Sequence, residues 1–175
     1  MMLREKKEDL DKTGKRDHAL DSAKMAEKIL KKFNYPKEKI ERVKECIISH
    51  RFKTKLKPKS IEAKILSDAN KLDVMGAIGV VRCACWIGEN KAKIYSDTPL
   101  LLYIKENLSG GKPTGRIKDK SKHALNFEYE LKLKNFHKKL FTKRAKEIAK
   151  KRIKFMKNFF TQLKREIKIK NISLY

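Results

Sequence analysis

The apolar residues of this chain recur at helical spacing almost everywhere, and that periodicity limits the fold more than any other feature. Ala19, Ala23, Ala26, Leu30 and Phe33 fall three and four apart, as on one face of an amphipathic helix. Asp17 stands where an N-cap belongs, Asn34-Tyr35 ends the segment, and Pro36 suits the first turn of a second helix. Ile40, Val43 and Ile47 carry the second stripe. After the Lys-rich KTKLKPK stretch, Pro58 and Ser60 open a third helix with Ile61, Ile65, Ala69 and Leu72 on one face. Its continuation holds Gly76 and Gly79, small residues that let a neighbouring backbone approach closely. From Gly88 to about Ser121 the pattern dissolves around Pro99, Gly110, Gly111, Pro113 and Gly115, with one short helix expected at Leu100 to Asn107. Helices resume from Lys122, and Thr142 caps a last long one through Ala145, Ala149, Met156, Phe159, Leu163 and Ile167. Strand alternation and internal repeats are missing, so the expected fold class is all-α. At 175 residues the expectation is a single domain, 1–175, with an irregular insert at 88–121 and a tail at 168–175.

Composition narrows the class further. No run approaches the roughly 20 apolar residues of a membrane span, and MMLREKKEDL lacks a signal peptide's apolar segment, so a cytoplasmic protein without a membrane partner is expected. Net charge is +25, and from Lys112 onward 21 basic residues face 5 acidic ones. Such a surface reads either as an attraction for phosphate, on nucleic acid or on a small substrate, or as solvated helix faces in a Lys-rich composition. Lys outnumbers Arg 37 to 9, which favours the second reading, because Arg is the better bidentate reader of bases and phosphates. Cys46, Cys83 and Cys85 form neither a disulfide framework nor a C-x-x-C zinc pair and are expected as small core-lining thiols.

Two polar residues share the apolar stripes. His50 lies three residues after Ile47 and seven after Val43; Asp68 lies three after Ile65 and seven after Ile61. An aspartate on a buried stripe is costly unless paired or metal-bound. With His18 at the start of the first helix, the three residues on successive helices point to one polar site inside a helical bundle.

The segment ILSDANKLDVMGAIGVVR, Ile65 to Arg82, resembles the D-A-D-R-L-D-A-I-G-A-I-G-I-A-R segment of the HD-domain metal-dependent phosphohydrolases. Asp68, Ala69, Leu72, Asp73, Gly76, Ala77, Ile78, Gly79 and Arg82 match, whereas Asn70 and Lys71 stand where Asp and Arg are usual. GKRDHALDSAKMAEKIL, ERVKECIISHRF, IYSDT and the A-x-x-I-A-x-x-R-x-x-F-M pattern of the last helix extend the resemblance over about residues 3–167. It implies an HD-type helical bundle and hydrolysis of a nucleotide or other phosphate ester with a divalent metal, Mn, Mg, Fe or Co. By position it implies Asp68 as a metal ligand. His18 and His50 would face a metal or the phosphate, and Lys71, Arg82 and Arg152 would bind phosphate. In the family an early His and a His-Asp pair complete the ligands, the pair standing just before a stretch like LREKKEDLDKTGKRDH; this sequence has Met1-Met2 there. The expectation is therefore a chain lacking the first helices, truncated by a misplaced start or a deletion. Three of four ligands would be missing and its own catalysis, and even metal binding, in doubt. Exposed apolar surface would then favour oligomerisation. The alternative reading is a non-catalytic basic helical protein that binds nucleic acid or a partner.

Overall fold

The computed structural model describes residues 18–50 and 56–172. Seven α-helices account for most of them: α1 His18–Lys32, α2 Lys37–Ser49, α3 Ile61–Leu72, α4 Gly76–Glu89, α5 Leu100–Asn107, α6 Leu125–Leu131 and α7 Lys143–Ile172. Only two isolated β-bridges accompany them among the described residues, so the class is all-α. No described helix is long and apolar enough to cross a membrane. The chain divides into two compact units between Asn70 and Lys71, inside α3.

The first unit is built on the α1–α2 hairpin. Asn34 closes α1 in the left-handed conformation (φ 53°), with Tyr35 N–H donating to the Leu30 carbonyl and Asn34 N–H to that of Lys31. That is a Schellman turn with asparagine in the position glycine usually takes. Pro36 then precedes α2, as expected. The Asp17 cap lies outside the described residues. Ala19, Ala23 and Ile40 are buried, and Glu27 joins the hairpin through Lys31 and Lys44 at 2.7 and 2.9 Å. In α3 the Ser60 hydroxyl accepts the Ala63 N–H, the cap expected of it.

The inward face of α3 differs from the expected one. Ile61 and Ile65 are 58% and 55% exposed and Ala69 is exposed, whereas Ala63, Ser67 and Asp68 are buried. Phe33, assigned to the inner stripe of α1, is likewise exposed. Periodicity identifies a helix from its own residues, but which side is covered depends on what packs there, and here small and polar residues are covered.

The second unit packs α4, α6 and the 3-10 segment Leu133–Lys139 with α7. Its core joins Met75, Val80, Ile87 and Leu125 to Ala145, Ala149, Met156 and Phe160 of α7. Thr142 caps α7 by accepting the Ala145 N–H. The expected continuation of α3 through Gly76 does not form. The chain turns at Asp73–Met75, and α4 restarts at Gly76 with φ 74°. A side chain at Gly79 would stand 2.3 Å from the Val74 carbonyl oxygen, so this glycine lets the turn fold back on α4 itself.

The 88–121 segment contains the expected helix at Leu100–Asn107 and is more tightly held than its composition implies. The Asn126 side chain accepts the Ser96 N–H at 3.0 Å and donates to the Ser96 carbonyl at 2.9 Å. The Asn107 side chain pairs with the Asp119 backbone in the same way, at 2.8 and 3.0 Å. Two side-chain amides thus take the place of neighbouring strands and satisfy backbone groups that would otherwise lack partners.

Candidate functional site

Asp68 lies in the first unit. It is 2% exposed on α3, beside buried Ser67, and is engaged with neighbours rather than unpartnered. Burial of a carboxylate opposes its charged form, so such a position persists where the surroundings compensate. His50 caps the C-terminus of α2, half-buried, with its Nδ1 bonded to the Ile47 carbonyl. His18 is exposed at the start of α1. Among the described residues no group of three or more His, Cys, Asp or Glu is placed to hold a metal ion, so these three do not form a shared ligand set. A divalent cation needs several such donors at once; the described residues alone do not fit one.

In the second unit each cation expected to bind phosphate has a protein partner. Lys71, 6% exposed, holds its ammonium 5.1 Å from the centre of the Phe141 ring. Arg82 is ion-paired with Asp73 on the surface. Arg152 donates to the Leu72 carbonyl at the end of α3. Its aliphatic stem lies against Gly76, where an added Cβ would come within 3.0 Å of it. Arg152 thereby ties α7 to the start of α4.

One buried polar cluster escaped the sequence reading. His123 is 1% exposed. Its Nδ1 meets the Tyr103 hydroxyl at 2.5 Å, and its Nε2 lies 3.2 Å from Glu128 Oε2. An ionised carboxylate only accepts, so a neutral His123 donates from Nε2 and accepts the Tyr103 proton at Nδ1. Lys132 donates to both Glu128 oxygens at 2.9 and 2.8 Å. Burial raises the Glu128 pKa, but the bond from His123 and the Lys132 charge outweigh it and hold the carboxyl below its ordinary value. Trp86 meets the His123 ring edge-on at 5.6 Å. Tyr103 is itself 3% exposed, so the Tyr103–His123 end of the chain is buried while Glu128 and Lys132 reach the surface, and the chain holds the 88–121 segment to α6. The only sequence signal was a lone His in a polar, Lys-rich stretch.

The cysteines correct a second expectation. All three are free; Cys85 is exposed, and only Cys83 packs against the core. Burial, with the nearby Glu128 charge, pushes the Cys83 thiol from 9.0 up to about 12. At pH 8 Cys83 then carries roughly 1,000-fold less thiolate than an ordinary thiol. Iodoacetamide at pH 8 followed by peptide mass mapping is expected to modify Cys85 in the native protein and Cys83 only after unfolding. Equal labelling of the two would contradict the burial.

Comparison with known proteins gives this geometry its context. The HD domain family model matches residues 2–75. The Bacillus subtilis protein YpgQ is 30% identical over 139 residues, 77% of this chain and 56% of YpgQ. A YpgQ crystal structure matches with a TM-score of 0.61 at 26% identity, covering 83% of this chain and 63% of that one. The Lin1889 protein of Listeria innocua matches with a TM-score of 0.64 at 26% identity, covering 85% and 67%. An HD-superfamily hydrolase of Bacillus thuringiensis shares the fold at 22% identity and a TM-score of 0.61, covering 84% and 63%. The chain thus spans less than two thirds of the length of YpgQ. Helical architecture, the family match and the Asp68-centred segment agree, and residues 2–75 of the chain are an HD domain.

Proposed function

We propose that this chain acts on a nucleotide or another phosphate ester, as an HD-domain phosphohydrolase or part of one. The observation that carries this reading is Asp68, a carboxylate 2% exposed on α3, in the segment where the family resemblance is most specific. Support for a nucleotide comes from YpgQ, whose crystal structure in complex with ADP matches this chain with a TM-score of 0.60 at 24% identity. In this reading Asp68 is the carboxylate contributed to a divalent cation. Arg82, exposed on α4, is the cation most readily released to a phosphate, because its partner Asp73 is also at the surface. The described residues supply no set of three ligands, so hydrolysis depends on donors beyond them.

Calorimetric titration with ADP in the presence of Mn²⁺ is the test, with phosphate release followed in the same solutions. Saturable binding is expected, weakened at least about tenfold in Asp68→Ala. Asp68→Asn serves as a variant of unchanged shape, to separate loss of the charge from loss of packing. Equal binding by the parent and both variants, or no binding by a folded parent protein, would overturn the reading.

A further inference from the structure

The longest helix carries an ordered line of charge that the Asp68 region does not use. Along α7, Lys143, Lys146, Lys150 and Lys154 are followed by Lys157, Lys164 and Lys168, with Thr161 in the one gap. Their spacing is three or four residues throughout, averaging about 3.6, the period of an α-helix. They therefore fall on a single stripe, about 80° wide at 100° per residue and about 37 Å long at 1.5 Å per residue. Every one of these lysines is exposed, and none has an acidic partner among the described residues. Of the two acidic residues of α7, Glu147 borders the stripe, about 20° beyond its edge at 100° per residue, and contacts Arg144, whereas Glu166 lies well away from it and accepts from Gln162. Merely solvated lysines on a helix would be scattered around its exposed arc and interleaved with acids at i+3 and i+4. Here seven are aligned on one stripe, and the one acid at that spacing, Glu147, four residues after Lys143, pairs with Arg144 instead.

We propose that this stripe docks a nucleic-acid duplex through its phosphate backbone. An extended row of point charges fits a regularly spaced polyanion better than a compact one. At about 3.4 Å per base pair, the stripe is as long as roughly 11 base pairs. Lys gives charge without the bidentate geometry that reads base edges, so recognition is independent of sequence. Base stacking adds little. Tyr129 and Phe160, in the groove beside Lys157, Lys164 and Lys168, stack on each other at 4.1 Å and share a face that a base would need. Phe160 is also 8% exposed. A lipid surface fits less well, because Ala145, Ala149, Met156 and Phe160, the apolar side of α7, are committed to the core.

The test is fluorescence anisotropy with labelled 20-base-pair DNA and RNA duplexes, each in the same two unrelated sequences, between 50 and 200 mM salt. Each phosphate neutralised contributes about −0.9 to the slope of log K against log salt on B-DNA, so five to seven contacts predict about −4 to −6. Affinity should fall roughly 250- to 4,000-fold over that range. Replacing Lys146, Lys150, Lys154 and Lys157 by Gln is expected to reduce the slope by about 3 to 4. Replacing Lys28, Lys37, Lys105 and Lys112, exposed lysines elsewhere, removes the same charge and is expected to change it by less than about 1. Both variants should keep the parent's circular dichroism and melting temperature. Three results would overturn the proposal: equal loss in the two variants, no duplex binding at 50 mM salt, or stripe-dependent binding to phosphatidylserine vesicles without duplex binding. Comparable DNA and RNA affinities support the backbone mode; a preference above about tenfold for one sequence counts against it. The outcome is independent of the Asp68 reading, which concerns other residues.

Discussion

A Met156→Ala protein is expected to be less stable by about 2–5 kcal/mol. Met156 is fully buried in the middle of α7, and its neighbours in the core come from α4, α6 and the 3-10 segment, so truncation opens a void that many elements share. Ala149 and Ala145, about two and three turns nearer the start of α7, are already small and buried. They let α4 and α7 approach closely and have no side-chain length with which to fill a gap. The loss therefore includes a cavity contribution as well as transfer of the lost atoms from water. Urea unfolding should show a lower midpoint at an unchanged slope. Met156→Leu, which nearly conserves volume, should cost less than about 1.5 kcal/mol. A loss below about 1 kcal/mol in Met156→Ala would show that the α7 face is not the core.

The second large effect is expected at His123. His123→Leu is nearly isosteric but removes one partner of the buried Tyr103 hydroxyl and one partner of Glu128. Orphaning a buried polar group costs about 1–3 kcal/mol, and the loss here should lie at the upper end, because the bonds are linked. Adding Tyr103→Phe to His123→Leu should recover part of it, since the unpaired hydroxyl is then gone. Strict additivity of the two would mean that the bond carries no coupling. Glu128 adds a pH dependence whose sign follows from its lowered pKa. A carboxyl depressed in the folded state contributes stability that is fully present above its ordinary value of 4.5 and is lost as the pH falls through the folded value. Glu128→Gln should flatten the stability profile below about pH 4.5 relative to the parent.

Signals carried by neighbouring residues were legible in advance. Ser60 and Thr142 cap the helices they precede, and the short helix at Leu100–Asn107 lies where Pro99 and the apolar run place it. Each of these depends on residues within a turn or two. The break at Asp73–Met75 was harder, because Gly76 suits a crowded helix as well as a left-handed turn, and only the Arg152 stem packed against it distinguishes the two. His123 had no local signature at all: Tyr103, 20 residues away, turns a lone histidine into the centre of a hydrogen-bonded chain.

The sequence by itself determined that the chain is all-α, that it resembles the HD-domain proteins, and that helices start after Ser60, Pro99 and Thr142, because propensity, capping and periodicity act over a few residues. The tertiary structure alone decided which side of α3 is buried, that Asn107 and Asn126 knit the segment between α4 and α6, and that Arg152 holds the end of α3 while the described lysines of the α7 stripe have no acidic partner. Those outcomes depend on pairings across tens of residues, where packing and hydrogen-bond satisfaction choose among partners of the same chemical type.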